Sequence, residues 1–405
     1  MSAASSVTRF ATRQPVAWGI LGTGKVAQLF ASDLACVPDA RLIAIGSRSK
    51  QKAREFGQKF GVSNQHGSYV DLANDPAVQA IYIATPASVH RENMLLCLNA
   101  GKPVLCEKPF TVNAREAEEV ITLARQRKVF LMEAMWTRFV PSMVKVRELL
   151  ATGAIGKVTH FIADLGTRAP FDPEGRVFNA GLGGGALLQK GIYLLSLASM
   201  ILGNPNVVRS LTIMGETGVD EHAGIMLGYP SGQLASLTCS ARVHTQREAT
   251  IVGTCGQIRI HEPIICPGSL TLRCYPDQGR HHEPTGETRY AQVGRALVQH
   301  SKKSRLIRQF RERCSRLSER LLYGVHSKKI YAPPLGEGLH YQVLEVIKCL
   351  RAGRIESDIM PLNESLSVMM TADQIREQRL SEVCTLARQE NPRTIDPRAL
   401  PRALG

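Results

Sequence analysis

Residues 16–30 read VAWGILGTGKVAQLF, an apolar run of strand length that passes through glycines straight into a helix-like stretch. Gly22, Gly24 and Ala27 take the spacing G-x-G-x-x-A. In such a turn the first glycine makes the tight bend, the second lets a pyrophosphate approach the backbone, and a small third residue lets helix and strand pack closely. The spacing is weak evidence alone; a strand before it and a helix after it give it meaning. It predicts a dinucleotide site in which Gly22, Thr23, Gly24, Lys25 and Val26 hold phosphates at a helix N-terminus, where free N–H groups and the helix dipole favour anions.

A second strand, RLIAIG, ends at Ser47 and Arg48. An Asp or Glu at this point would bind the ribose hydroxyls of NAD. The chain instead offers Ser47, Arg48, Lys50 and Lys52, with no acid before Glu55. An acid would repel a 2′-phosphate and this cluster would bind one, so NADP is the expected cofactor, with NAD as the alternative. Further strands at 80–84 and 103–106 alternate with helical stretches, which implies a parallel, doubly wound sheet. Polar residues follow these strands: Thr85, Pro86 and His90 after one, Glu107, Lys108 and Pro109 after the other. Ligands bind at such strand ends.

A chain of 405 residues exceeds what one core usually serves, so two domains with a site between them are expected. Its 44% hydrophobic and 21% charged content is that of a globular protein, and no run approaches the roughly 18 apolar residues of a membrane span. Ten scattered cysteines without a Cys-x-x-Cys pair suggest neither zinc nor a disulfide framework, and point to a reducing cytoplasm. No His, Asp and Glu cluster has metal-ligand spacing, so no metal is assigned. The first 14 residues, rich in Ser, Ala and Arg, read as a disordered end, with an organelle transit peptide as the alternative.

The net charge of +15 is concentrated. Between 300 and 330 stand Lys302, Lys303, Arg305, Arg308, Arg311, Arg313, Arg316, Arg320, Lys328 and Lys329 against Glu312 and Glu319. Leu306, Phe310, Cys314, Leu317 and Leu321 recur there at helical period. Such a basic helix can lie on an anionic membrane surface or bind an acidic protein; alternatively its apolar stripe packs on the protein's own body. Nucleic acid is disfavoured, because aromatics are not interleaved and no binding motif is present.

The segments IATPASVH, LCEKPF and EAMWTRF, in that order, resemble the glucose-fructose oxidoreductase and inositol dehydrogenase family (Gfo/Idh/MocA). With GGGALLQKGIY added, the likeness is greatest to its dihydrodiol dehydrogenase branch. It covers about residues 15–275, then resumes at GLHYQVLEVIKCLRAGRIESDIMPLNES. The resemblance implies a Rossmann domain over 15–135, then over 136–390 an α/β domain with a large open, mostly antiparallel sheet that often supports homo-oligomers. A basic helical insertion is expected at about 277–334 and a disordered tail at 391–405. Short segments such as VTHFIADLG, VVRSLTIMG and REATIVG, separated by Gly, Pro and Asn turns, read as that sheet's strands.

The resemblance also implies that Lys108 points at the reacting oxygen, with Glu107 and Pro109 fixing its loop, and that Trp136 and Arg138 line a substrate pocket. Members of the branch carry an Asp and, four residues on, a Tyr or His as proton carrier. Here Tyr193 stands at the second position, while Gln189 replaces the Asp and Lys190 an apolar residue. Four-residue spacing on a helix would put Gln189 and Tyr193 on one face. The amide cannot take up a proton, but Lys108 would favour a Tyr193 phenolate and so keep a relay working. Two functions follow as expectations. One is an NADP-dependent oxidoreductase acting on a sugar, cyclic diol or related carbonyl compound; the other is a nucleotide-binding relative with reduced or lost turnover that docks through its basic helix.

Overall fold

The computed structural model describes residues 14–275 and 326–390, with side chains as far as 378. The first half is β1 (Val16–Leu21), α1 (Lys25–Leu34), β2 (Ala40–Gly46), α2 (Lys50–Phe60), β3 (Asn64–His66), α3 (Tyr69–Asn74), β4 (Ala80–Ile83), α4 (His90–Asn99), β5 (Val104–Glu107), α5 (Ala114–Arg127) and β6 (Leu131–Ala134). Its six strands pair in parallel in the order β3-β2-β1-β4-β5-β6. The order reverses beside β1, which opens a crevice at the carboxyl ends of β1 and β4. Phe30 of α1 stacks on Tyr82 of β4, ring centroids 3.6 Å apart, and meets Trp18 of β1 edge-on, so three fully buried aromatics lock the helix onto the strands that flank the crevice.

The second half begins with α6 (Pro141–Ala151), whose Pro141 occupies a first-turn position where a missing N–H costs nothing. Then come β7 (Val158–Gly166), α7 (Ile192–Leu202), β8 (Val207–Met214), β9 (Asp220–Gly228), β10 (Leu234–Ser240), β11 (Ala249–Gly253), β12 (Gly256–Ile260), β13 (Ser269–Cys274), β14 (His326–Tyr331), α8 (His340–Arg351) and α9 (Leu362–Glu390). Eight strands run β14-β13-β12-β11-β7-β10-β9-β8, antiparallel except for the β7–β10 pair. Along β11, Ala249, Ile251 and Gly253 are buried and alternate with partly exposed Thr250 and Val252, which marks one covered and one more open face. The protein is therefore α/β, with a parallel doubly wound sheet and a larger, mostly antiparallel one.

Residues 326–331, inside the stretch read as an insertion, are a strand paired with β13. The expected basic helix up to residue 325, the N-terminal end and the tail from 391 lie outside the described residues. The helical stretch Ala180–Leu202 has a mean hydropathy of 1.5 and is long and apolar enough to cross a bilayer, contrary to the sequence estimate; 78% of that window is buried inside the protein, so it is a core helix.

α9 joins the halves. It packs on α5 and, across the other sheet, on α7 and β8. Ser365 donates to Glu133 of β6 at 2.8 Å and Asp373 accepts from the Ala114 N–H at 2.7 Å, while Ser210 of β8 donates to Gln378 at 3.0 Å.

Candidate active site

A cleft of about 880 Å³ opens at the carboxyl ends of β1, β2 and β4, lined by Gly22, Thr23, Gly24, Ser47, Arg48, Lys52, Thr85 and Pro86. Gly22 sits at φ +105°, and a Cβ there would come within 2.9 Å of the Ala84 carbonyl oxygen, so the turn requires glycine. Gly24 caps α1 without any side-chain acceptor, and nothing lies within 4 Å of where its Cβ would be. The first-turn N–H groups of α1, at Lys25 and Val26, thus have no side-chain cap beside a glycine turn that lines the cleft, which suits the phosphates of a dinucleotide.

At the end of β2 the Ser47 hydroxyl accepts from the Ser49 N–H at 3.2 Å, and Ser49 caps α2 by accepting from the Lys52 N–H at 3.3 Å. Arg48 and Tyr69 both line the cleft, and the Arg48 charge acts on the Tyr69 hydroxyl. Gln28, Ser49, Lys59 and Tyr69 also line it and were missed in the sequence. Ser49 alone carried a signal, as a Ser immediately before a helical run.

Lys108 leaves the carboxyl end of β5 through a cis Lys108–Pro109 bond. Its Nζ donates to the Gln189 main-chain oxygen at 3.1 Å and lies 4.7 Å from the Tyr193 ring centroid. Burial first, then the charges of Arg176 and Lys190, lower the ammonium to about 8, against the opposing pull of Glu107 and Glu133. The Tyr193 hydroxyl accepts from Trp136 Nε1 at 3.1 Å. Thus Lys108, Trp136 and Tyr193, far apart in the chain, converge.

The expected phenolate is a correction. Burial, reinforced by Glu107, raises Tyr193 well above the usual phenol range, and the Lys108 cation sits over the ring face rather than at the hydroxyl. Tyr193 remains a phenol and can donate.

Gln189 also differs from expectation. Residues Leu187–Gly191 form a single π-helical turn ahead of α7, so the α-helical spacing that would stack Gln189 on Tyr193 does not apply. The buried amide donates from Nε2 to the Gly183 oxygen at 2.8 Å, and it is the backbone carbonyl of Gln189 that meets Lys108. Lys190, next in the π turn, is half-buried with Nζ on the Thr167 hydroxyl beyond β7.

Arg138 and His90 are placed elsewhere than the sequence suggested, and Glu107, read both as a ligand-side group and as a brace for the Lys108 loop, is placed as the brace. Arg138 is 0% exposed: Nε donates to the Ser196 hydroxyl at 2.9 Å, Nη2 to the Ser196 oxygen at 2.6 Å, and Nη1 to Glu364 at 2.7 Å and the Ile359 oxygen at 3.1 Å. With its donors committed it cannot line a substrate pocket. Buried His90 places Nδ1 2.9 Å from the Pro109 oxygen and Nε2 2.9 Å from the Thr85 oxygen, tying together the two loops that follow β4 and β5 instead of facing a cofactor. Glu107 is buried, accepting from the Tyr82 hydroxyl and from the Lys108 N–H at 3.2 Å; it supports the lysine from below.

Residues 16–135 match the family model described as an oxidoreductase family with NAD-binding Rossmann fold, and residues 143–259 match the GFO/IDH/MocA C-terminal domain. The chain is 32% identical over 372 residues to human trans-1,2-dihydrobenzene-1,2-diol dehydrogenase, covering 89% of this chain and 96% of that protein. The mouse protein of the same name is 40% identical over 249 residues, 60% of this chain and 74% of that one. Among solved structures, the 3-ketoreductase KijD10 from Actinomadura kijaniata, in complex with NADP and TDP-benzene, has a TM-score of 0.70 at 21% identity, covering 90% of this chain and 98% of that one. A levoglucosan dehydrogenase in complex with NADH and L-sorbose has a TM-score of 0.74 at 18% identity, covering 91% and 98%. With both of its domains matched in order along a single chain, and with relatives alike over nearly their whole length, this protein belongs to the Gfo/Idh/MocA oxidoreductase family, whose Rossmann domain binds NAD(P).

Proposed function

We propose that the protein is an NADP-dependent oxidoreductase that interconverts a secondary alcohol of a sugar or cyclic diol and its carbonyl, with Lys108 and Tyr193 as the groups that handle the oxygen. The observation that carries the reading is the partly buried ammonium of Lys108 over the Tyr193 ring, at the end of the strand next to the one that borders the dinucleotide cleft. The names of the curated relatives support the substrate class. Ser47, Arg48 and Lys52 at the rim support a 2′-phosphate.

Bound nicotinamide supplies or removes the hydride at the substrate carbon. Lys108 donates a hydrogen bond to the oxygen on that carbon, and so stabilises the alkoxide that develops there. Tyr193, held by Trp136, is a phenol that gives a proton to that oxygen in reduction. Gln189 keeps its amide on Gly183 and contributes its carbonyl, so the loss of an acid at 189 leaves Lys108 with a hydrogen-bond acceptor.

Binding of NADPH should quench tryptophan fluorescence, and a panel of dicarbonyls, aldoses and diols should include a compound that changes nicotinamide absorbance. No turnover across such a panel, with NADPH bound, would count against catalysis. For the reduction, kcat/KM should fall as pH rises through about 8, because the Lys108 ammonium that donates the hydrogen bond is lost; for the oxidation it should rise. The charges setting that midpoint are Arg176 and Lys190, which lower it, and Glu107 and Glu133, which raise it. Gln189→Asp adds a negative charge on the residue whose main-chain carbonyl meets Lys108 and should move the midpoint upward. A midpoint that stays put would detach the pH profile from Lys108.

We further propose that the open face of the larger sheet pairs with a second copy of the chain. Ile162, Leu211, Ile213 and Met226 are exposed there at 51%, 63%, 53% and 45%. Arg209, Arg259 and Glu248 border the same trough, and a face bearing both signs can complement itself across a two-fold axis. Sedimentation should show a dimer, and Leu211→Lys a monomer; an unaltered dimer would place the interface elsewhere.

A further inference from the structure

Thr85 and Pro86, after β4, line the dinucleotide cleft, and Lys108 follows β5. One glycine of the second half of the chain is wedged against the continuation of both loops. A Cβ on Gly183 would fall 3.0 Å from the Ala87 Cβ and 3.3 Å from Val112 Cγ1, tighter than ordinary side-chain contact. Its φ of +75° is a left-handed backbone that glycine adopts freely. Ala87 is buried and opens the short 3₁₀ turn Ala87–Val89, which Pro86 caps. His90 and Asn93 hold Thr85 from within the first half, whereas Gly183 presses on the same loop from the second.

Gln189 holds Gly183 in place. Its Nε2 donates to the Gly183 oxygen at 2.8 Å, and its main-chain N–H donates to the Gly185 oxygen at 3.0 Å, so one residue ties the glycine loop twice to the helical run that follows. That run is pinned from behind, where Asp220 at the start of β9 accepts from the Leu187 N–H at 2.6 Å. Gly183 and Gln189 are both buried, and a buried carbonyl that loses its donor costs more than the bond itself is worth. The position therefore requires a donor. Methionine would leave the carbonyl bare, and an ionised glutamate would set two acceptors face to face.

We infer that Gln189 is a positioning residue for the cofactor: by donating to the Gly183 carbonyl it seats the Ala180–Gly183 loop on Ala87 and Val112, and so holds the Thr85 and Pro86 edge of the cleft in the shape that takes NADP. This rests on the nucleotide-binding part of the reading above and not on turnover. An edge already seated need not be ordered when the dinucleotide arrives, which raises affinity without any new contact. The same residue presents its main-chain carbonyl to Lys108, so the cofactor edge and the ammonium are both set from one point.

Fluorescence titration with NADPH tests this on the full chain and on its Gln189→Met, Gln189→Glu, Ala87→Gly and combined Gln189→Met, Ala87→Gly forms. Gln189→Met should raise the Kd about fivefold and Gln189→Glu at least as much, the scale of ordering one loop contact on binding. Ala87→Gly removes the methyl against which Gly183 sits. Because the influence of Gln189 passes through that methyl, the combined form should lose far less than the product of the two single losses; independent sites would multiply. Hydrogen exchange of cofactor-free Gln189→Met should quicken at 85–89 as well as at 180–185, whereas an amide that only stabilises its own helix would affect the second segment alone. Circular dichroism shows which forms are folded, and Gln189→Glu, equal in size to the native residue, takes the place of Gln189→Met in both measurements if the latter is not. An unchanged Kd in the folded Gln189 variants, losses that multiply, or exchange at 85–89 equal to that of the parent would each overturn the inference. Absence of turnover would leave these results standing and bear on the oxidoreductase reading alone.

Discussion

Lys108→Met should lower kcat/KM by about 10³-fold while NADPH affinity changes little. The estimate is the loss of one preorganised charged donor to the developing alkoxide, typically about 10²- to 10³-fold, taken at its upper end because the donor is a cation. Methionine is unbranched and of similar length, and removes only the charge that lies over the Tyr193 ring. Because Lys108 does not line the dinucleotide cleft, fluorescence titration with NADPH separates loss of chemistry from loss of cofactor. A variant retaining a tenth or more of its activity would remove Lys108 from the centre of the reaction.

Arg138→Met should be the most destabilising substitution near the site, by about 3 kcal/mol, the low end for breaking a buried ion pair because Glu364 keeps 32% exposure. It would leave the Ser196 and Ile359 oxygens without their donor and Glu364 without its cation. Urea titration followed by circular dichroism measures it, and Arg138→Met with Glu364→Gln should recover part of the loss because the stranded charge is gone. A change in KM with the unfolding midpoint intact would return Arg138 to the substrate pocket.

The first sheet was readable because its determinants are local. Gly22, Gly24 and Ala27 mark a strand-to-helix turn within a few residues, and the absence of acid after RLIAIG is a property of consecutive positions. Lys108 and Tyr193 were legible through short motifs. Arg138 was not, because its partners Ser196 and Glu364 stand 58 and 226 residues away, and nothing in EAMWTRF distinguishes a guanidinium aimed at a ligand from one aimed into the core. The π turn was hidden as well: it shifts the register once, leaves no periodic trace, and turned the Gln189 side chain away from the place helical spacing assigned it. The burial that keeps Tyr193 a phenol comes from both domains at once.

The reach of α9 has a consequence for how the chain is made. Glu133 of β6, Ala114 at the start of α5 and the Leu131 N–H, which donates to the Ile355 oxygen at 3.0 Å, all await partners encoded near the carboxyl end. During synthesis the nucleotide-binding half therefore leaves the ribosome with one flank bare, and it gains its cover only after residues 355–373 have been translated. A stop codon ahead of residue 355 should therefore destabilise the half that was finished first.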